Sequence, residues 1–326
     1  MARIAVLDDY QNVARRIADW SLLRAHEVVF FRDHLEDEGA VAKRLHDFDF
    51  VIAMRERTPF PDSLLRQLPS LRLLVTTGRR NASFDTDAAT KLGIVVSYTG
   101  GTSTSTADLT IGLMIAVMRH ITKEDRTVRE GHWQRTVGVA LGGKTLGVIG
   151  LGTIGSHIAQ IAQALRMHVV AWSQNLTAAR AAECGARFVS KLELLQTSDV
   201  VTIHLRLSPR TRGLLGADDL ALMKRTAYLI NTSRGPIVDE AALVSALNDG
   251  TIAGAGLDTF DQEPLPKGHP LLTARNTVLT PHLGYVTEDS YHTYYTDAIE
   301  SILSFVDGKP LRVLNPEVLD SPARRR

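Results

Sequence analysis

Leu146-Gly147-Val148-Ile149-Gly150-Leu151-Gly152-Thr153-Ile154-Gly155 is the stretch that decides the fold. It reads as a short apolar strand running into Gly-x-Gly-x-x-Gly, and Ser156-His157-Ile158-Ala159 opens a helical pattern at once. In that setting each glycine has a task. Gly150 makes the tight turn, Gly152 lets backbone approach a pyrophosphate, and Gly155 lets helix and strand pack closely. The unpaired N–H groups at the helix start, Thr153 and Ile154 among them, then meet phosphate charge. A glycine pattern alone describes only a tight turn; strand, turn and helix together predict a dinucleotide site. Just upstream, Gly138 to Thr145 also fits a Walker pattern, ending in Gly143-Lys144-Thr145. A P-loop needs a helix to begin at that lysine, whereas here a strand begins, so ATP binding is excluded.

Outward from this segment, short β-branched runs alternate with longer amphipathic ones. Strands are expected at Arg3–Leu7, Glu27–Phe31, Phe50–Ala53, Leu73–Thr76 and Ile94–Val96. A second series is expected at Thr145–Gly150, His168–Trp172, Val200–Leu205, Ala227–Asn231, Gly254–Asp258 and Thr277–Thr280. Helical patterns lie between them, and the alternation predicts α/β architecture with parallel sheets covered on both faces. The two series suggest two units that meet near Thr99-Gly100-Gly101-Thr102-Ser103, before a long helix reaching about His120. The last helix, after Asp289, has no strand of the second series to serve and is expected to return to the first unit.

Bulk properties agree. A chain of 326 residues exceeds one ordinary core, and 44% hydrophobic with 22% charged residues is ordinary globular composition. The 37 basic and 36 acidic side chains create no global field that would favour nucleic acid or an anionic membrane. Cys184 is the one cysteine, which rules out an internal disulfide and fits a reducing compartment. Met1 leads straight into a strand, and no apolar run reaches membrane length, so a soluble cytoplasmic protein is expected.

In open α/β sheets ligands sit beyond the carboxyl ends of the strands. Three ionisable residues follow strand ends in the second series: Arg234, Glu263 and His282. Reduction of a 2-keto acid needs such a set. Arginine offers an always-charged planar fork for a carboxylate, histidine a proton donor that titrates near neutrality, and a neighbouring acid a means of holding that histidine charged. Taken singly, they read more readily as a loop salt bridge, a solvated loop acid and a strand-end histidine. Their joint placement gives the chemical reading.

The segments Gly150-Leu151-Gly152-Thr153-Ile154-Gly155, Asn231-Thr232-Ser233-Arg234-Gly235, Leu257-Asp258 through Glu263-Pro264, and Thr280-Pro281-His282-Leu283-Gly284 occur in this order. Together they resemble the D-isomer-specific 2-hydroxyacid dehydrogenases over nearly the whole chain, the family of phosphoglycerate dehydrogenases and glyoxylate/hydroxypyruvate reductases. The resemblance implies two doubly wound parallel-sheet domains. One is a Rossmann-type cofactor domain over 100–285; the other is a flavodoxin-like, substrate-binding domain made of 1–99 and 286–326. It implies that Arg234 binds substrate, that His282 is the general acid/base, also beside the cofactor, and that Glu263 is its partner. Asp258 would contact the nicotinamide amide, and Thr106 would lie near the same half of the cofactor. Thr232 and Gly284 join the cofactor set with their motifs. His204 falls beside the adenosine, or is simply a structural strand histidine. A homodimer formed through Ser105–Trp133 is implied, and no metal site is.

Departures from the pattern carry further expectations. The acid that selects NAD is replaced by Ser173, followed by Gln174, so the element that repels a 2′-phosphate is missing. The cofactor is therefore NAD or NADP, with NADP placed first. Arg206 stands where proline is usual, beside the expected adenosine pocket; it and Arg180 offer positive charge or merely face solvent. The carboxylate-binding loop reads Gly78-Arg79-Arg80-Asn81-Ala82-Ser83. Its two arginines suggest a larger or more anionic substrate, or again face solvent, and Arg55 and Arg57 could join them. Tyr285 either shapes the pocket or packs locally. A regulatory protein that only senses nucleotide would tolerate the loss of Arg234, Glu263 or His282, and all three are present.

Overall fold

The computed structural model describes residues 1–101 and 104–325. It divides into two compact units, Met1–Thr102 with Thr287–Arg326, and Ser103–Val286.

Among the described residues, the first unit carries strands β1 (Arg3–Val6), β2 (Glu27–Phe30), β3 (Phe50–Ala53), β4 (Leu73–Thr76) and β5 (Val95–Tyr98). They form a parallel sheet in the order β2-β1-β3-β4-β5. Every residue of β3 and β4 is buried, as expected of strands covered on both faces. One face packs on Val41, Leu45, Leu64 and Leu65. The other receives the last helix, Glu288–Val306: Phe305 meets Phe50 edge-on at 5.5 Å and Tyr295 packs 5.8 Å from Trp20. Strand β5 runs two residues beyond Val96 because a distant segment covers its edge. Tyr98 N–H donates to the Arg312 carbonyl (3.0 Å), and Asn315, buried, accepts from Val96 N–H (2.9 Å) and donates to the Ile94 carbonyl (3.0 Å). In the glycine-rich stretch that follows, Gly100 N–H donates to Asp297 at 2.6 Å. Thr102 and Ser103, also named there, lie outside the described residues.

The second unit carries β6 (Thr145–Ile149), β7 (His168–Trp172), β8 (Arg187–Phe188), β9 (Val200–Ile203), β10 (Tyr228–Asn231), β11 (Gly254–Leu257) and β12 (Thr277–Leu279). Their order is β12-β11-β10-β9-β6-β7-β8, all parallel. The order reverses between β6 and β9, and it is there that a doubly wound sheet opens a crevice. Side chains alternate between two cores. Leu146, Val148 and Ile230 face the helices Thr104–Met118 and Thr153–Ala164, while Ile149, Leu229 and Leu257 face Leu194, Leu243 and Leu247. The helix Thr153–Ala164 buries Gly155, Ile158, Ala159 and Ala162, an i, i+3, i+4, i+7 stripe. Strand β8, two exposed residues at the sheet edge, was not expected from the sequence pattern. Lys144 precedes β6 rather than a helix, in keeping with the exclusion of a P-loop. No helix among the described residues is long and apolar enough to cross a membrane.

Candidate active site

The turn after β6 is made of backbone. Gly150 adopts φ +100°, which a side chain would strain, and a Cβ there would also collide with the His204 carbonyl of the next strand. A Cβ on Gly155 would strike the Gly150 carbonyl oxygen, so helix and turn touch at that point. Gly152 differs: nothing lies within 4 Å of where its Cβ would be. It precedes a helix start that carries no side-chain cap, leaving the amides of the first turn available. Open space above uncapped amides fits a pyrophosphate.

Beside this turn, His204 is half-buried, and its Nε2 lies 2.8 Å from Thr202 Oγ1. Burial pushes its imidazole down from 6.5 to about 3, so the ring is neutral. Ser173 and Gln174 follow the end of β7, Ser173 half-buried and Gln174 exposed. Arg206 is exposed. Arg180 is paired at 3.0 Å with Glu183 on its own helix.

Across the sheet, β10, β11 and β12 are neighbours, and Arg234, Glu263 and His282 each follow one of them. Two of the three meet: His282 Nδ1 lies 2.6 Å from Glu263 Oε2. Glu263 Oε1 accepts from the Phe260 amide at 2.9 Å, so the carboxylate is fixed from both ends. His282 sits in the left-handed region at φ 54°, uncommon for a residue with a side chain. Asp258 holds that turn together. Its Oδ1 accepts from Thr280 Oγ1 (2.6 Å) and Leu283 N–H (2.7 Å), and its Oδ2 from Gly284 N–H (2.9 Å). The Asp258 side chain is fully buried, and burial raises its pKa even though these donors oppose the shift. Tyr285, buried, packs edge-on to His282 with ring centres 5.6 Å apart.

Arg234 opens the short helical turn Gly235–Ile237, and its Nη1 donates to the Ser233 carbonyl at 2.7 Å. Asn231 braces the loop, donating to the Arg234 carbonyl (3.0 Å) and accepting from Ser233 N–H (3.0 Å). Thr232 is buried with its hydroxyl 2.8 Å from that of Thr110, and Thr106 Oγ1 donates to the Gly284 carbonyl at 2.9 Å. Thr280 and Thr110 were not singled out from the sequence. For Thr280 a signal existed: Leu257 pairs with Leu279, so the next residues along, Asp258 and Thr280, leave the sheet side by side.

In the first unit the loop after β4 is tied by side-chain hydrogen bonds. Asn81 Nδ2 donates to the Arg55 carbonyl (2.6 Å) and to Thr76 Oγ1 (3.0 Å), and Asn81 Oδ1 accepts from Ser83 N–H (2.9 Å). Arg55 lies over Gly78, where a Cβ would collide with its guanidinium, and donates to the Thr77 carbonyl at 3.1 Å. Arg79 and Arg80 are exposed. Arg57 stacks over the Tyr10 ring at 4.2 Å. Among the described residues no cluster of ionisable side chains could hold a metal ion.

A topological switch point with a glycine turn on one side and an imidazole–carboxylate pair on the other is the arrangement of a dinucleotide-dependent oxidoreductase. The family model described as D-isomer specific 2-hydroxyacid dehydrogenase, NAD binding domain, matches residues 111–284. A glyoxylate reductase of Aeropyrum pernix is 41% identical over 267 residues, covering 78% of this chain and 80% of that protein. A D-3-phosphoglycerate dehydrogenase of Bacillus subtilis is 38% identical over 270 residues, and there the match spans 51% of the relative's length. The solved phosphoglycerate oxidoreductase of Vibrio cholerae superimposes with a TM-score of 0.90 at 36% identity, covering 94% of this chain and 99% of that one. The chain belongs to the D-isomer-specific 2-hydroxyacid dehydrogenase family, and it is an oxidoreductase.

Proposed function

We propose that the protein interconverts a small 2-keto acid and its D-2-hydroxy acid with NAD(P). The observation that carries this reading is the 2.6 Å contact between His282 and Glu263 at the carboxyl edge of the sheet. Because Nδ1 faces a carboxylate, it keeps its proton, and Nε2 is left to exchange one with substrate. His282 gives that proton to the carbonyl oxygen in reduction and takes it back in oxidation. Glu263 fixes the orientation of the ring through that contact. Arg234 grips the substrate carboxylate through its fork and polarises the carbonyl.

The bound nicotinamide supplies or accepts the hydride. Gly150, Gly152, Thr153, Ile154 and Gly155 would hold its pyrophosphate, and Thr106, Thr232, Asp258 and Gly284 the nicotinamide half. Asp258 has lone pairs left for an amide beyond the three donors it already accepts. With Ser173 and Gln174 at the end of β7 and no acid there, NADP is the first cofactor to test. Arg55, Gly78, Arg79, Arg80 and Tyr285 are proposed for substrate selection. The apolar side chains of Ile121, Val128, Trp133 and Val137, all exposed, suit a homodimer contact. A buried lone thiol, Cys184, suits the reducing cytoplasm.

The test is oxidation of NADPH and NADH with glyoxylate, the substrate named for the Aeropyrum relative, and with hydroxypyruvate. Turnover with at least one pairing is expected. In Arg234→Lys, which keeps charge but loses the fork, KM should rise and kcat fall together. No turnover with any pairing would refute the proposal.

A further inference from the structure

Glu263 owes its place to residues outside the site. Its partner amide belongs to Phe260 (2.9 Å), and the next amide, Asp261 N–H, donates to Glu240 Oε2 at 3.2 Å. Glu240 begins the helix Glu240–Asn248, and its other oxygen, Oε1, lies 3.0 Å from His269 Nε2. His269 Nδ1 accepts from Leu271 N–H at 3.3 Å, which places the ring proton on Nε2 and makes it the donor to Glu240. Both side chains of this second pair are 18% exposed, less than Glu263 at 33%. Gly235, immediately after Arg234, presses on the same peptide: a Cβ there would come within 2.6 Å of Asp261 N. Hydrogen bonds thus run from His269 through Glu240 to the Asp261 amide, and from the preceding amide, that of Phe260, through Glu263 to His282.

We infer that Glu240 and His269 are positioning residues: they clamp the Phe260–Asp261 peptide and so set the Glu263 carboxylate against His282. The inference rests on His282 being the acid/base of the proposed reaction. Two carboxylates held by successive amides cannot shift independently, so loosening Glu240 frees the loop that aims Glu263. The charged groups about this peptide are Asp239, Glu240, Asp261, Arg212 and His269, and Asp258 and Glu263 face His282.

The experiment compares wild type, Glu240→Ala, Glu240→Gln and His269→Ala in the cofactor-loaded enzyme, reading kcat/KM for keto-acid reduction against pH. Glu240→Ala should cost up to about 10²-fold in kcat, the scale of a misplaced reacting group. It should also change the alkaline limb of the profile, which a loss of fold stability alone would leave in place. Glu240→Gln retains an acceptor for Asp261 N–H and should restore the limb; His269→Ala should shift it less than Glu240→Ala. A lower Tm with the pH profile unmoved in Glu240→Ala would make this pair a structural brace only and overturn the inference. Full turnover in His282→Ala would instead remove the reading on which it rests.

Discussion

The two halves of the seven-stranded sheet's carboxyl edge are built from opposite materials. At β6, β7 and β9 the working surface is mostly main chain: glycines and uncapped amides, with a serine and a neutral histidine beside them. At β10, β11 and β12 it is side chain: Arg234, Glu263, His282 and the buried Asp258 that folds their loop. The first half suits a charged group of fixed shape, which amides recognise without being charged themselves. The second suits proton transfer, which needs groups that titrate. Damage should therefore show as lost binding on one side and lost turnover on the other.

The largest effect is expected on the side-chain half. His282→Ala should lower kcat by roughly 10²–10⁴-fold, with cofactor affinity retained. Equal loss of cofactor binding and turnover would blur the division. On the backbone half, Gly155→Ala drives a Cβ into the Gly150 carbonyl and should destabilise the fold by about 1–3 kcal/mol, read by chemical denaturation. Gly152→Ala meets nothing within 4 Å and should leave stability unchanged while weakening NADPH binding, read by titration. If the two substitutions behaved alike, the separate tasks given to these glycines would fall.

Smaller still is the change at the end of β7. Ser173→Asp should turn the NADPH-to-NADH preference toward NADH by about tenfold, or ~1.4 kcal/mol. An unmoved ratio would place selection elsewhere, with Arg206 the next residue to test. The smallest expected effect is none. His204, neutral down to about 3, should show flat ring resonances between pH 8 and 5, unlike a free imidazole. Its sign on stability follows from the same values. Unfolded, the ring takes a proton near 6.5; folded, only near 3, so its share of stability is whole above 6.5 and lost as pH falls toward 3.

What could be read from the sequence divides along the same line. Glycine spacing and apolar alternation are local, and they place β6, its turn and the following helix within a residue or two. The strand-end positions of Arg234, Glu263 and His282 follow from strand assignments alone. Contacts between distant segments do not. The extra length of β5 depends on Arg312 and Asn315, more than two hundred residues away, and β8 is two exposed residues with no pattern to read. The left-handed backbone of His282 comes from Asp258 accepting two amides across the loop, and no motif announces that. Glu240 and His269 carry no signal for the same reason: they look like an ordinary helix-start acid and loop histidine, and only the fold sets Glu240 on the Asp261 amide, next to the Phe260 amide that holds Glu263.

The most direct test is a crystal structure of the protein with oxidised cofactor and a non-reacting 2-keto acid analogue such as oxamate. The account predicts the analogue's carboxylate on the Arg234 guanidinium and its carbonyl oxygen within hydrogen-bond reach of His282 Nε2, with Nδ1 still on Glu263. An analogue bound with its carbonyl turned away from His282, or held without Arg234, would contradict it.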